Sequence, residues 1–270
     1  MLLPIPIIPW IIGLFGLIVG SFLNVVVLRE GSTEGLGGRS HCVGCKKTLQ
    51  WYELIPVASF LIQRGKCRNC HMKISWQYPI VEALTATTFF FVGRFITMHH
   101  ISWIASLFLL ISVSFAIAIA VYDLRTKLVP TLWYLGWVIS GLLFIFMITL
   151  SIGSLVPTLW LHIQGVLVAT PFFLLWLISR GRWMGFADIE IIAWMGAFFG
   201  LFSGISAVLI AFYLGGLFGI MFVLYQLARG KTYASIRRIQ VPFAPFLLFA
   251  WFGTLIWSWN IFALFARLWM

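Results

Sequence analysis

Acidic side chains are nearly absent. Seven Asp and Glu are spread over 270 residues against 18 Lys and Arg, and only 9% of the chain is charged. Charge this sparse cannot cover a water-facing exterior. Basic residues are also missing from Met1–Trp10, and no small-residue cleavage pattern follows the first apolar run. A signal peptide is therefore not indicated, and the run reads as a span that stays. What is abundant is apolar: 62% of residues are hydrophobic and the mean hydropathy is +1.04. The composition is that of a polytopic membrane protein. The net charge of +11 would suggest nucleic acid in a soluble chain. Here the basic residues fall between apolar runs, so membrane orientation explains them and a nucleic-acid partner is not expected.

A hydrocarbon core about 30 Å thick needs about 20 apolar helical residues. On that measure eight spans are expected, over Ile7–Leu28, Pro79–Met98, Ile101–Tyr122, Leu132–Ser151, Leu159–Ser179, Phe186–Leu201, Gly204–Ala228 and Pro242–Phe265. The sixth is short and is joined to the seventh through Gly200–Gly204. Of the 18 basic residues, 16 follow odd-numbered spans: eight in 29–78, two at Arg125 and Lys127, two at Arg180 and Arg182, four in 229–238. The positive-inside tendency makes those connections cytoplasmic and leaves both termini outside. The expected fold is an all-α polytopic membrane protein of about eight transmembrane helices. Its divisions are a first helix at 1–28, a four-cysteine cytoplasmic domain at 29–78, and a seven-helix membrane domain at 79–270.

The two aspartates, Asp123 and Asp188, close the third span and open the sixth. Both therefore lie at the same face, despite standing far apart in sequence. A carboxylate beside a long apolar run is costly and is a functional-site candidate. Asp188 has a structural alternative as a cap favoured by its helix dipole. Asp123, at a helix C-terminus, has no such explanation.

All four cysteines lie in 29–78, as Cys42-Val43-Gly44-Cys45 and Cys67-Arg68-Asn69-Cys70, with 21 residues between the pairs. Two CxxC knuckles can present four thiolates tetrahedrally to Zn²⁺ in a closed structural site. A cytoplasmic position argues against disulfides, and a single redox CxxC would need a βαβ setting. His41 and His71 adjoin the knuckles and read as solvated neighbours. Trp51–Ile62, between the knuckles, is apolar enough to pack a small metal-stapled core or to lie against the membrane. Gly13, Gly16 and Gly20 have the spacing of a helix-packing face.

Together these motifs resemble the type IV prepilin peptidases, bacterial leader peptidases of the Gly-x-Gly-Asp aspartyl class, over nearly the whole chain. The resemblance rests on Gly20-Ser21-Phe22-Leu23-Asn24-Val25-Val26 with Arg29 and on Arg39–Cys45. It extends through Gly65–Cys70 with Ile74-Ser75, Tyr78–Glu82, Asp123 with Pro130, and Val241–Leu247. It implies Asp123 and Asp188 as catalytic residues and prepilins or pseudopilins as substrates, cut after a glycine. It also implies, in many members, N-methylation of the new terminus from S-adenosylmethionine. Nothing in 29–78 resembles a glycine-rich methyl-donor fold, so methylation rests on the resemblance alone. The second aspartate motif departs from the pattern. Ala187 stands where glycine is usual and Glu190 where lysine is usual. Thr131 and Ala244 replace a usual Asn and Gly.

Peptide hydrolysis by two carboxylates needs one ionised, to take a proton from the attacking water, and one protonated, to donate to the scissile carbonyl oxygen. The protons belong to the pair, so neither resting role is assigned to one residue. The alternatives are a catalytically altered member without methylation, a zinc-stapled membrane scaffold, and an ion-coupled transporter. A transporter would place its acids near the midplane and show inverted repeats, whereas both acids lie at one face and no repeat is found.

Overall fold

The computed structural model describes residues 7–31, 35, 37–153, 158–231 and 241–262. Nine α-helices lie among them: α1 (Ile8–Arg29), α2 (Ala58–Ile62), α3 (Gln77–Met98), α4 (Trp103–Thr126), α5 (Thr131–Ile152), α6 (Thr158–Ser179), α7 (Phe186–Phe199), α8 (Leu201–Ala228) and α9 (Ala244–Trp257). The described residues contain no strand, only the isolated bridges His41–Thr48 and Lys66–Lys73. A helix stands at each of the eight expected spans. Five, α1, α3, α4, α5 and α8, are long and apolar enough to cross a membrane. α7 and α9 have 14 residues each and reach only about 21 Å, short of a full hydrocarbon core. The last span was expected to run from Pro242 to Phe265. Its described helix is α9, which stops at Trp257 because Ser258 turns left-handed at φ +52°.

The chain forms two compact units, Met1–Ala118 and Ile119–Met270, with the division inside α4. In the first unit α1 and α3 pack through the expected glycine stripe. A Cβ on Gly16 would stand 2.9 Å from the Ala86 Cα, and one on Gly20 would stand 2.8 Å from the Glu82 Cα. The backbones therefore approach at distances that only glycine allows, which is how helices associate where lipid offers no hydrophobic drive. The facing stripe of α3 is Glu82, Thr85, Phe89, Val92 and Gly93, all buried.

In the second unit α7 is gripped by its neighbours. Gly196 on α7 lies against Gly165 and Val168 on α6, and Gly204 on α8 lies against Gly196. Gly204, expected where the connection meets the seventh span, is thus a packing residue inside α8. The α7–α8 turn is Gly200 alone, with φ +81° and ψ 177°, a backbone essentially reserved for glycine. Gln164 closes the turn by accepting the Leu201 N–H at 3.0 Å. Trp137 (α5), Trp194 and Phe198 (α7) and Trp251 (α9) meet edge to face, with ring centroids 5.4–6.3 Å apart. This aromatic core fixes α7 and α9 side by side, and with them the residues at their N-termini.

Candidate functional site

Asp123 sits in the last turn of α4, 6% exposed. The helix ends four residues later: Lys127 takes a left-handed conformation at φ +61°, and its N–H closes on the Asp123 carbonyl at 2.8 Å. The carboxylate reaches out of its own helix. Its Oδ2 accepts the backbone N–H of Ala244 at 3.2 Å, across 121 residues. Ala244 is the first residue of α9, whose opening N–H groups have no partner within the helix. The charge that the end of α4 disfavours is thus met by the positive end of α9.

Asp188 is in the first turn of α7. Its carboxylate accepts the N–H of Gly185, the residue that caps the helix, and it feels the charge of Asp123. The two aspartates, remote in sequence, are therefore near enough for the charge of one to act on the other, and each is backed by a helix N-terminus. Capping explains the Gly185 contact but not the approach of Asp123. Ala187 continues α7 with ordinary right-handed backbone, so this position makes no demand that glycine alone could meet. Glu190 lies one turn into α7, and its carbonyl accepts the Tyr134 hydroxyl of α5 at 3.1 Å. The roles of the Ala244 N–H and Tyr134 had no mark in the sequence, because both arise from helices that meet only in the fold.

The four cysteines come together in the first unit. Their sulfurs lie within 4.8 Å of one another, in a cluster that takes in neither His41 nor His71. Each knuckle is built alike. Cys42 N–H bonds to Lys47 O and Lys46 N–H to Cys42 O, while Cys67 N–H bonds to Met72 O and His71 N–H to Cys67 O. Lys46 and His71 share a left-handed φ of +57°. Cys42 and Cys70 sulfurs are 3.7 Å apart. Four sulfurs each about 2.3 Å from a tetrahedral zinc stand about 3.8 Å apart, so the donor set fits that ion. The Lys47 N–H and the Asn69 side chain draw the Cys45 thiol down to about 6. Cys67 is also lowered, by the N–H groups of Cys70 and Asn69. At Cys70 the Met72 N–H pulls downward, but burial and the other three sulfurs outweigh it and raise the thiol to about 11. A cation at the centre would relieve that mutual repulsion.

Five membrane-length helices, a pair of aspartates at helix ends in the second unit and a thiol cluster in the first define an integral membrane protein with built polar sites. Comparison with known proteins gives the family. Residues 14–95 match the Bacterial Peptidase A24 N-terminal domain and residues 110–220 the Type IV leader peptidase family. A Prepilin leader peptidase/N-methyltransferase of Bacillus subtilis (strain 168) is 32% identical over 240 residues, 87% of this chain and 88% of its own. The Type 4 prepilin-like proteins leader peptide-processing enzyme of Escherichia coli O78:H11 is 31% identical over 256 residues, 86% of this chain and 87% of its own. A Prepilin leader peptidase/N-methyltransferase of Legionella pneumophila is 27% identical, over 97% of each chain. No solved structure matches. The chain belongs to the type IV leader peptidase family, and is a membrane peptidase.

Proposed function

We propose that this peptidase is an aspartyl endopeptidase that removes the leader of type IV prepilins or pseudopilins at the cytoplasmic face of the bacterial inner membrane. The observation that carries this reading is the meeting of Asp123 and Asp188, the chain's only aspartates, within reach of each other's charge. Two carboxylates so placed cannot both ionise cheaply, so the singly protonated pair is the resting state. The ionised member takes a proton from water as the oxygen attacks the scissile carbonyl. The protonated member donates to the carbonyl oxygen. Proton transfer to the amine then releases the leader. The Ala244 and Gly185 N–H groups hold the two carboxylates at fixed angles, so they need not reorganise during the reaction.

The depth of the pair suits the substrate. A prepilin has a basic leader outside the bilayer and an apolar helix within it, with the cut at their boundary. Asp123 and Asp188 stand at helix ends, and the charge bias of the connections supports a cytoplasmic position for those ends and for the cysteine segment. Cys42, Cys45, Cys67 and Cys70 would hold a structural zinc whose four sulfur ligands leave no position for substrate.

Methylation of the new terminus is the finer half of the reading, supported by the N-methyltransferase in relatives' names. The described residues offer S-adenosylmethionine no glycine-rich strand–turn–helix, so no step is derived through it. Transfer of labelled methyl groups to cleaved prepilin tests it.

Cleavage of a prepilin in membranes, by this chain and by its Asp123→Asn and Asp188→Asn variants, tests the peptidase. Loss in both variants at equal insertion is expected. Unchanged cleavage in both would end the aspartyl mechanism.

A further inference from the structure

The segment between the two cysteine knuckles turns its apolar residues outward. Trp51, Leu61 and Ile62 are 76%, 64% and 69% exposed. Within α2 only Phe60 is buried, against Gly65 and the Trp76 ring. Large apolar side chains exposed together on one short segment mark an interaction site.

The position of the segment is set by a carboxylate that the peptidase reaction does not use. Glu82 is buried on the inner stripe of α3 and accepts the Val57 N–H at 2.7 Å. The hydroxyl of Ser21 on α1 donates to the same carboxylate. Val57 itself is strained: φ is +60° and ψ −49°, in a tight turn closed by the Ala58 N–H on the Pro56 carbonyl at 2.6 Å. A β-branched residue holds such a backbone only where its surroundings overdetermine it. Here the buried carboxylate does so.

Glu82 lies five residues into α3, and Ser21 eight residues before the end of α1. At 1.5 Å per residue, the Glu82 position that ties Val57 lies about 7 Å from the start of α3, and Ser21 lies about 12 Å from the end of α1. Each helix has 22 residues and so is about 33 Å long, close to the thickness of the hydrocarbon core. A tie about 7 Å from the end of a membrane-length helix matches the depth of about 5–10 Å at which interfacial apolar elements settle.

Charge selects the lipid. Between Arg39 and Tyr78 there are seven basic residues and one acid, Glu53, which is buried and caps its own turn by accepting the Gln50 N–H at 2.9 Å. The Arg68 guanidinium lies over the Tyr52 ring at 5.0 Å. A second copy of this chain would bring the same sign and be repelled, as would the basic leader of a prepilin. Anionic headgroups would be drawn in.

We infer that Trp51–Ile62, tethered by Glu82, is a foot that seats Trp51, Leu61 and Ile62 in the lipid interface, with Arg64 and Lys73 against anionic phospholipid headgroups. This does not depend on the peptidase reading.

The test uses the full chain in nanodiscs of equal phosphatidylglycerol and phosphatidylcholine, with a diazirine amino acid at position 61. Illumination should give mainly phospholipid adducts, enriched in phosphatidylglycerol. The paired change Arg64→Gln and Lys73→Gln should lower that enrichment by up to about fivefold per charge. Reaction with water, with a second copy or with added prepilin peptide in place of lipid would overturn the inference. Equal labelling of the two lipids would overturn its headgroup half. In Glu82→Ala, lipid adduct should give way to water adduct; full retention would remove the tether.

Discussion

The thiol cluster and the carboxylate pair are built in opposite ways. Each knuckle is a local turn, closed by hydrogen bonds between residues no more than five apart, and the second repeats the first down to its left-handed residue. The carboxylate pair has no local construction. It needs the end of α4, the start of α7 and the start of α9, held by an aromatic core and by glycine contacts among α6, α7 and α8. A site made from short-range turns is open to stabilisation by one ion, whereas a site made from helix ends depends on packing many residues away.

Removing the metal should have the largest effect, and only on the local site. Zinc in small thiolate sites supplies about 10 kcal/mol or more of folding free energy. A strong chelator should therefore open residues 39–76 to protease, with about one zinc per chain released, while α5 to α9 stay protected. Simultaneous loss of protection in those helices would break the comparison.

Substitution of the aspartates comes next. Removing one acid–base partner should slow cleavage about 10²–10⁴-fold, with zinc content and thermal midpoint held near the parent's. A variant that loses its zinc as well would show that the two sites are not separately built.

Gly200→Ala tests the packing that places α7. The Cβ would meet the Gln164 Oε1 at 2.6 Å, in a backbone held at φ +81°. Strain of this kind costs about 1–3 kcal/mol, so the thermal midpoint should fall and cleavage should weaken with it. An unchanged midpoint would mean that the turn does not constrain α7.

The smallest effect is expected from Ala187→Gly, which restores the glycine usual in the family motif. Because Ala187 is helical, glycine should cost about 0.5–1 kcal/mol and leave the cleavage rate unchanged. A faster variant would mean that the methyl group obstructs the substrate.

Legibility in the sequence follows the same division. Hydropathy placed a helix at all eight expected spans, because lipid exposure forces apolar runs whatever the helices pack against. It misjudged the α7–α8 junction, where one glycine turns the chain and Gly204 serves packing instead. It marked the sixth span, α7, as short, but could not reveal that α9 is short too, since the apolar composition continues through the turn that ends it. The CxxC spacing was sufficient for the thiol cluster. For the carboxylates, rarity and depth named both residues, but neither supplies a partner.

Sequence alone determined the class of solvent, the helical character and the knuckles, because each depends on the chemistry of neighbouring residues. Only the tertiary structure decided that Asp123 leaves its own helix for the Ala244 N–H, that its charge acts on Asp188, and that Glu82 ties down a strained Val57. Those contacts follow from where helix ends and glycine faces meet in space. A linear pattern of hydrophobicity carries no record of that meeting.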